Sequence, residues 1–346
     1  MNSETHSPML IAGPCSAETR TQTLATAAAI SKYYPQAVFR AGIWKPRTNP
    51  GFFEGVGHIG LQWLQEVKKQ TGLRTATEIG NAAHAEACLK HDVDIVWIGA
   101  RTTVSPFAVQ EIADALRNTN AKVFVKNPVN ADLKLWFGAM ERLMQAGINY
   151  PGAIHRGFHQ PGNTVFRNVP MWTMVSDFRV HYPGLPMLCD PSHICGNREL
   201  IPYVMKQAND VGVDGWMIET HIEPELALSD AAQQVTPHSL YELLGEQVSV
   251  NHPASHTGEL SRLRMQISQT DQQLLVLLRQ RMLTAKQIGR YKRAHNLPLV
   301  QPERWQELMN EHFVLSEILG IEKELVDNLF AQIHHFSVLQ QKNSVD

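Results

Sequence analysis

Four residues of metal-ligating types follow or close separate apolar runs of the chain. Cys15 closes the run MLIAGPC, His193 follows PMLCDPS, and Glu219 lies within GWMIETH. Asp230 lies in the stretch after Glu219. Thiolate, imidazole and carboxylate ligands together suit a divalent transition metal, manganese first, with iron, cobalt or zinc as alternatives, better than magnesium or calcium. Each residue alone is more simply structural, so the metal interpretation depends on the fold bringing them together.

A second set of residues is positively charged and also follows apolar runs. Its members are Arg40, Lys45, Arg47, Arg101, Lys126 and Arg156. Guanidinium groups bind phosphate and carboxylate through paired hydrogen bonds, whereas Lys acts as a point charge. Since one phosphate seldom needs so many cations, the set predicts two phosphorylated substrates or one substrate with several anionic groups. A solvated charged rim is the alternative.

The elements that must position these side chains repeat one unit eight times. Each unit is an apolar, β-branched run, a turn, and a stretch with helical periodicity. The runs span residues 9–15, 37–43, 74–80, 94–100, 122–128, 152–158, 186–192 and 215–221. Such strands predict a parallel sheet covered on both faces. Eight units in about 245 residues favour closure into a (β/α)8 TIM barrel over an open doubly wound sheet.

A closed barrel brings the carboxyl ends of all its strands to one mouth and makes the first strand a neighbour of the eighth. Cys15, His193, Glu219 and Asp230 would then form one cluster, with the cations around it. The sequence therefore predicts a metal ion in a mouth that also binds anions.

Seven motifs of this region, in order, resemble those of 3-deoxy-D-arabino-heptulosonate 7-phosphate (DAHP) synthases. They are AGPCSAE (12–18), RAGIWKPRT (40–48), GAR (99–101), VKN (125–127), HRG (155–157), DPSH (190–193) and DGWMIETH (214–221). The resemblance implies condensation of phosphoenolpyruvate with erythrose 4-phosphate on a metal held by the four ligands above. Related synthases that use arabinose 5-phosphate lack the KPRT form, so this loop favours erythrose 4-phosphate.

The resemblance also implies roles for the cations. Phosphoenolpyruvate would be bound by Lys45, Arg47, Arg101, Lys126 and Arg156. Erythrose 4-phosphate would be bound by Arg40 and the KPRT segment, which ends at Thr48. Lys45 and Lys126 would be catalytic. Relatives often carry a small regulatory domain before the barrel, for which the residues before position 9 leave no room.

The periodicity changes after Leu244. Residues 246–258 are rich in Gly, Pro, Ser, His and Asn and predict a linker between domains at 1–245 and 259–346. Helical spacing from Glu259 to about Ala294 predicts one helix of about 36 residues and 54 Å. Fewer than about 90 residues cannot cover such a helix, so a partner helix from a second subunit is expected. Two further helices are predicted at about 302–315 and 321–342.

The tail separates its charges. Residues 262–293 contain eight bases and one acid, and residues 303–327 contain seven acids and two bases. Arg281 and Lys292, 11 residues apart, share a helix face, whereas Arg264 and Arg281, 17 apart, do not. One ligand bound by all three would need Arg264 from the second subunit. A solvated basic face is an alternative, and the acidic segment argues against nucleic-acid binding.

The tail from Leu260 to Gln341 resembles the small all-helical chorismate mutases, whose intertwined dimers build each site from both chains. The matching segments are LSRLRMQIS, TDQQLLVLLRQR and QIGRYK. The resemblance implies rearrangement of chorismate to prephenate by Arg264 of the partner subunit, Arg281, Lys292, Arg304, Ser337 and Gln341. Lys292 and Gln341 would stabilise charge at the ether oxygen.

Two positions of the tail depart from that family's pattern. Gln301 and Trp305 stand where the pattern has acidic residues. A tail that only senses a ligand and dimerises is therefore the alternative to a mutase. In either case we expect the tail to report prephenate or chorismate to the barrel.

The composition agrees with a bifunctional enzyme of small metabolites. Lys and Arg total 31 against 33 Asp and Glu, so the chain is not a polybasic protein of the kind that binds nucleic acid. A hydrophobic content of 43% is typical of a globular chain. No apolar run approaches the ~18 residues of a membrane span, and the first residues show no secretion signal. We therefore expect a cytoplasmic protein whose four cysteines are thiols or metal ligands.

Overall fold

The computed structural model describes residues 8–46, 49, 51–162, 165–245 and 259–342, the side chains of 261 and 262 excepted. The chain forms two compact units, which divide between Gln266 and Ile267. The predicted linker, 246–258, lies outside the described residues, so its place as a domain boundary stays a prediction. Arg47 and Thr48 of the KPRT segment also lie outside them.

Eight parallel strands form a closed barrel in sequence order. They are β1 (Met9–Gly13), β2 (Val38–Arg40), β3 (Arg74–Ile79), β4 (Ile95–Ile98), β5 (Lys122–Lys126), β6 (Gly152–His155), β7 (Met187–Cys189) and β8 (Gly215–Glu219). Each strand lies within one predicted run and is shorter, because the runs include residues of the turn at the mouth. β1 pairs with β8, with Gly13 opposite Glu219. The predicted barrel is confirmed, and the open sheet is wrong.

Helices cover the outside of the barrel. They are α1 (Arg20–Tyr33), α2 (Ile59–Thr71), α3 (Ala82–Lys90), α4 (Ala100–Thr103), α5 (Pro106–Ala115), α6 (Leu133–Gln145), α7 (Trp172–His181), α8 (Pro191–Cys195), α9 (Ile201–Val211) and α10 (Pro237–Gly245). Short 3-10 helices occur at Arg198–Leu200, Pro224–Leu226 and Ala231–Gln233. Side-chain oxygens of Thr19, Asn81, Ser105, Asp132 and Asp190 cap helices at their first turns and so define where each helix begins.

The interior of the barrel is filled by buried side chains. These are Ile11, Val38, Ala76, Ile95, Trp97, Phe124, Ile154, Leu188 and Met217. Gly152 makes room for Phe124, because a Cβ at Gly152 would lie 2.1 Å from a carbon of the Phe124 ring. A filled barrel has no pore, so chemistry takes place at the mouth.

The second unit is helical. It contains α11 (Glu259–Ala294) from Ile267 onward, α12 (Pro302–Leu319) and α13 (Lys323–Lys342). The first helix has the predicted ends, the second is four residues longer than predicted, and the third starts two residues later. Half or more of the surface of several apolar side chains is exposed: Ile267, Leu274, Leu275, Leu277, Leu283, Val314, Leu315, Ile318, Leu319, Leu325 and Phe336. In the parts of the chain that are described, no helix is long and apolar enough to cross a membrane.

Candidate active sites

The mouth of the barrel brings together three of the four predicted metal ligands. Cys15 follows β1, Glu219 ends β8, and Asp230 lies in the loop after β8. One ligand atom from each lies within 4.8 Å of the other two. The Cys15 Sγ is 3.2 Å from Oδ2 of Asp230. The pairing of β1 with β8 joins residues that are more than 200 positions apart in the sequence.

His193, the fourth predicted ligand, lies at the edge of this group. Its Nε2 is 3.7 Å from Oε1 of Glu219, and its Nδ1 is 2.8 Å from Oδ2 of Asp190. Asp190 also accepts a hydrogen bond from the His193 main-chain nitrogen and lies 2.8 Å from Nζ of Lys126. Although burial raises it, His193 and Lys126 hold the pKa of Asp190 well below its usual range. Asp190 therefore fixes the imidazole with Nε2 toward Glu219.

The donor set fits a transition metal ion. The Oε1 of Glu219 is buried and accepts no hydrogen bond within the described chain, although Arg40 NH2 lies 3.2 Å away. Burial, and next the charge of Glu219, raise the pKa of the Cys15 thiol. Lys45 opposes this rise, with its Nζ 3.0 Å from the Cys15 Sγ. A buried carboxylate oxygen that accepts no hydrogen bond, beside a thiol and an imidazole, is an arrangement that a bound cation would satisfy.

Arg40 and Lys126 lie together deep in the mouth. Their charged groups lie over the ring of Trp97, at 4.9 and 5.6 Å from its centroid. Arg40 is only 1% exposed, and its Nε and NH1 have no hydrogen-bond partner among the described residues. Its NH2 lies near Oε1 of Glu219, but burying the free Nε and NH1 donors is costly unless a further anion binds them. Arg40 therefore lies beside Lys126, and its NH2 and the Nζ of Lys45, the first residue of KPRT, both approach the main-chain carbonyl of Cys15, at 3.4 and 2.9 Å.

Arg156 is held by two asparagines. Its main-chain nitrogen donates to Oδ1 of Asn127, and its NH1 donates to Oδ1 of Asn168, each at 2.7 Å. Burial lowers the pKa of Arg156 to about 10, which still leaves the group charged at neutral pH. Arg101, in α4, is exposed. The barrel therefore presents cations at two depths, buried and exposed.

The sequence analysis missed two residues of this site, Arg167 and Gln233. Arg167 NH1 lies 2.9 Å from Oδ1 of Asp230 and 2.7 Å from Oε1 of Gln233. Gln233 Nε2 donates to Oε2 of Glu219 at 2.7 Å. Both residues, with Asp230, line a cavity of about 470 Å³. The sequence does not indicate a role for Gln233, because an uncharged glutamine in a loop is common. Arg167 was missed because it lies well beyond the end of β6, outside the predicted apolar run.

In the helical unit, α11 and α13 bring predicted residues together. Arg281 NH1 donates to Oγ of Ser337, which is buried. Gly289 lies so close to α13 that a Cβ there would be 2.7 Å from Cα of Gln341. Arg281, Ser337 and Gln341 therefore lie along one seam between the two helices.

Lys292 lies on the same helix as Arg281, beside a cavity. Its Nζ donates to the main-chain carbonyl of Leu299 at 2.8 Å. The cavity has a volume of about 490 Å³ and is also lined by Tyr291 and Gln301. Burial lowers the pKa of Lys292.

Two predicted ligands of the tail are not brought to this seam within one chain. Arg304 is 60% exposed, and its NH1 lies 3.0 Å from Glu307 on its own helix. Arg264 is exposed and lies 17 residues from Arg281 on α11, about 26 Å along the helix axis. One small ligand cannot span that distance.

Trp305, which departs from the mutase pattern, packs against a histidine with the two rings tilted by 30°. Its ring centroid is 4.1 Å from that of His334. Burial, and next the charges of Arg281 and Lys292, lower the pKa of His334. An aromatic pair therefore lies near the cations, at a position where the mutase family pattern has an acidic residue.

Comparison with known proteins agrees with both parts of the sequence analysis. Residues 2–252 match the DAHP synthetase I family, and residues 263–342 match chorismate mutase type II. A phospho-2-dehydro-3-deoxyheptonate aldolase of Thermotoga maritima is 32% identical over 237 residues, 68% of either chain. A 2-dehydro-3-deoxyphosphooctonate aldolase of Helicobacter hepaticus is 25% identical over 72% of this chain and 98% of its own. A crystal structure of DAHP synthase from Thermotoga maritima has a TM-score of 0.62 at 29% identity, covering 71% of this chain and 72% of its own.

Proposed function

The chain belongs to the DAHP synthetase I family and carries a chorismate mutase type II domain, and from this premise we propose that it catalyses two specific reactions. The barrel condenses phosphoenolpyruvate with erythrose 4-phosphate, and the helical domain rearranges chorismate to prephenate. The observation that supports the first reaction best is the group formed by Cys15, Glu219 and Asp230 beside the buried cations Arg40 and Lys126.

The cations of the barrel bind and orient two anionic substrates. Lys45, Arg47, Arg101, Lys126 and Arg156 bind phosphoenolpyruvate. Arg40 and the KPRT segment, which ends at Thr48, bind erythrose 4-phosphate. Holding two mutually repelling anions in reacting geometry removes much of the entropic barrier.

The bond forms between C3 of phosphoenolpyruvate and the aldehyde carbon of the sugar. Water then adds at C2, and inorganic phosphate leaves. A divalent cation held by Cys15, His193, Glu219 and Asp230, with manganese proposed first, would supply a Lewis acid for the aldehyde oxygen. Lys45 keeps its proton, because Cys15 and Glu219 raise its pKa although burial opposes them.

The mutase site needs no nucleophile, because the rearrangement is unimolecular. Arg281 and Ser337 bind a carboxylate of chorismate, and Lys292 and Gln341 stabilise the negative charge that develops at the ether oxygen. Arg304 leaves its surface pair with Glu307 to bind the ligand, a small loss because solvent screens exposed ion pairs. Arg264 of the partner subunit completes the site.

A second copy of the chain covers the apolar surface of α11. Ile267 and Leu274 lie seven residues apart, and at least half of each side chain is exposed. An exposed stripe along a helix of 36 residues is typical of an intermolecular helix pair. We propose a homodimer in the cytoplasm, with no nucleic-acid or membrane partner.

Prephenate or chorismate bound at the helical site lowers synthase activity, through the proposed linker at 246–258.

Assays of the wild-type chain test both reactions. We expect phosphoenolpyruvate loss with erythrose 4-phosphate and much less with arabinose 5-phosphate. Chelation should abolish this loss, and Mn²⁺ should restore it. Preference for arabinose 5-phosphate, or full activity of metal-free protein, contradicts the barrel proposal. Prephenate should inhibit the wild-type synthase and inhibit a Lys292→Ala chain less.

Chorismate consumption separates a mutase from a tail that only senses its ligand. The wild-type chain should convert chorismate to prephenate, and Lys292→Ala should lose most of this activity. Lys342→Ala, also on the helical domain, is a control that should keep it. No wild-type turnover, together with prephenate inhibition of the synthase, favours the sensor.

A further inference from the structure

Two side chains outside the predicted ligand set join the carboxylates of Glu219 and Asp230. The buried Gln233 donates from Nε2 to Oε2 of Glu219 at 2.7 Å and accepts at Oε1 from Arg167 NH1 at 2.7 Å. The same NH1 lies 2.9 Å from Oδ1 of Asp230. Contacts therefore connect the two carboxylates through one amide and one guanidinium group.

These contacts hold one oxygen of each carboxylate and leave the other toward the centre of the cluster. The second oxygen of Asp230, Oδ2, is 3.2 Å from Sγ of Cys15. The second oxygen of Glu219, Oε1, is 3.2 Å from NH2 of Arg40 and 3.7 Å from Nε2 of His193. A carboxylate free to rotate can offer a cation both oxygens, as large hard cations prefer. A carboxylate with one oxygen held by a neighbouring side chain offers a cation only its other oxygen.

The local backbone brings ligand and support together. Asp230 has a left-handed conformation, with φ of 53°. The 3-10 turn Ala231–Gln233 follows at once, and the Gln233 main-chain nitrogen donates to the Asp230 carbonyl at 3.2 Å. The Gln233 amide then has one orientation that suits both neighbours, because its nitrogen must face the carboxylate and its oxygen the guanidinium.

We propose that Gln233 and Arg167 are positioning residues of the cation site, which orient Glu219 and Asp230 so that each presents one oxygen to a transition metal ion. The inference rests on the proposed metal site and names the residues that tune its affinity and selectivity. Groups that orient metal ligands in this way typically change metal affinity about 10- to 100-fold.

The test measures cation binding to the full chain with Gln233→Met, which keeps most of the side-chain volume but forms neither hydrogen bond. We expect the Kd for Mn²⁺ to rise about 10- to 100-fold. With Co²⁺, the absorption band from the Cys15 thiolate should shift or weaken. Binding of Ca²⁺ should fall less than binding of Mn²⁺, because released carboxylates can offer both oxygens.

Gln110→Met is a matched control. Gln110 Oε1 accepts from Arg142 NH1 at 2.7 Å, the same kind of hydrogen bond at the same length, between α5 and α6 on the outside of the barrel. This variant should bind Mn²⁺ and Co²⁺ as the wild-type chain does. Circular dichroism verifies that each variant is folded.

Arg167 gives a second, independent test, because its side chain is 43% exposed and its replacement does not disturb the core. Arg167→Met should weaken Mn²⁺ binding as Gln233→Met does, and Arg167→Lys should restore part of it through charge near Asp230. If Gln233→Met and Arg167→Met both keep the Mn²⁺ affinity and the Co²⁺ spectrum of the wild-type chain, the positioning role is wrong, but the metal site is not. A wild-type chain that binds neither Mn²⁺ nor Co²⁺ would overturn the proposed metal site as well.

Discussion

We propose that the barrel mouth and the helical site both bind anions. A single chain brings together more of the barrel site than of the helical site. In the barrel, Arg40 and Glu219 are buried and lie 3.2 Å apart. In the helical domain, Arg281 and Ser337 are in contact, while Arg304 pairs with Glu307 at the surface. The barrel site is built from strand ends and loops of one chain, whereas by our proposal the helical site also needs a second copy.

The difference follows from topology. A closed sheet brings the ends of all its strands to one ring, so residues far apart in sequence meet without a partner. Three helices cannot surround a ligand in the same way, and a long helix extends beyond the others. Variants of the two sites should therefore separate the two activities and their dependence on protein concentration.

The largest effect is expected for Cys15→Ala. Loss of the thiol ligand should lower the kcat of condensation by at least about 10³-fold, because a Lewis acid contributes several kcal/mol to such a reaction. Chorismate turnover should not change. Parallel assays of phosphoenolpyruvate and chorismate loss test this, and a similar fall in both would mean that the two sites are not separate.

The next largest effect is expected for Arg281→Leu, which should lower mutase activity and leave synthase activity unchanged. Mutase kcat/KM should fall about 10²- to 10³-fold, because the variant loses one hydrogen-bond donor to the negative charge of the substrate. Synthase activity without prephenate should match the wild type, and inhibition by prephenate should be lost. Inhibition that persists at wild-type prephenate concentrations would place the regulatory ligand elsewhere.

A smaller effect is expected for Leu274→Asp, which puts a charge on the proposed dimer surface, where the leucine is 50% exposed. The dimer dissociation constant should rise about 10- to 100-fold, since burying an unpaired charge costs a few kcal/mol. Analytical ultracentrifugation measures this, and mutase specific activity should then depend on concentration while synthase activity does not. Val180→Asp, on α7 of the barrel, is the control. A monomeric wild type with full mutase activity would show that the helical site is complete in one chain.

The smallest effect concerns pH. Because burial, Arg281 and Lys292 lower the pKa of folded His334, the unfolded chain binds the proton more readily. Stability of the helical domain should therefore be fully present above about pH 6.5, the pKa of an unperturbed histidine, and should decline as pH falls below it. His334→Gln should remove this part of the decline, measured by thermal unfolding at pH 7.5 and 5.5. An identical decline in the variant would assign it to other groups.

Periodicity and motifs predicted the elements closely. Every strand lies within a predicted apolar run, and α11 begins and ends where the sequence pattern predicts. The strand order also followed, because eight repeated units leave closure as the simplest arrangement. Lys45 and Lys126 were found as cations because each follows an apolar run at its mouth end.

Supporting residues could not be predicted in the same way. Gln233 and Arg167 act through contacts that join two loops, and neither residue type in a loop indicates such a contact. The spacing also does not indicate that Arg40 lies over Trp97 beside Lys126, because this position follows from the direction in which the Arg40 side chain leaves β2.

The sequence alone determined the periods of the strands and helices, the chemical types of the ligands and the separation of charge, since these are properties of residues and their spacing. Only the tertiary structure decided which oxygen of Glu219 and Asp230 is held and which faces Cys15. It also decided that Arg304 turns to Glu307. These features depend on distances of a few ångströms between loops and helices that no local pattern encodes.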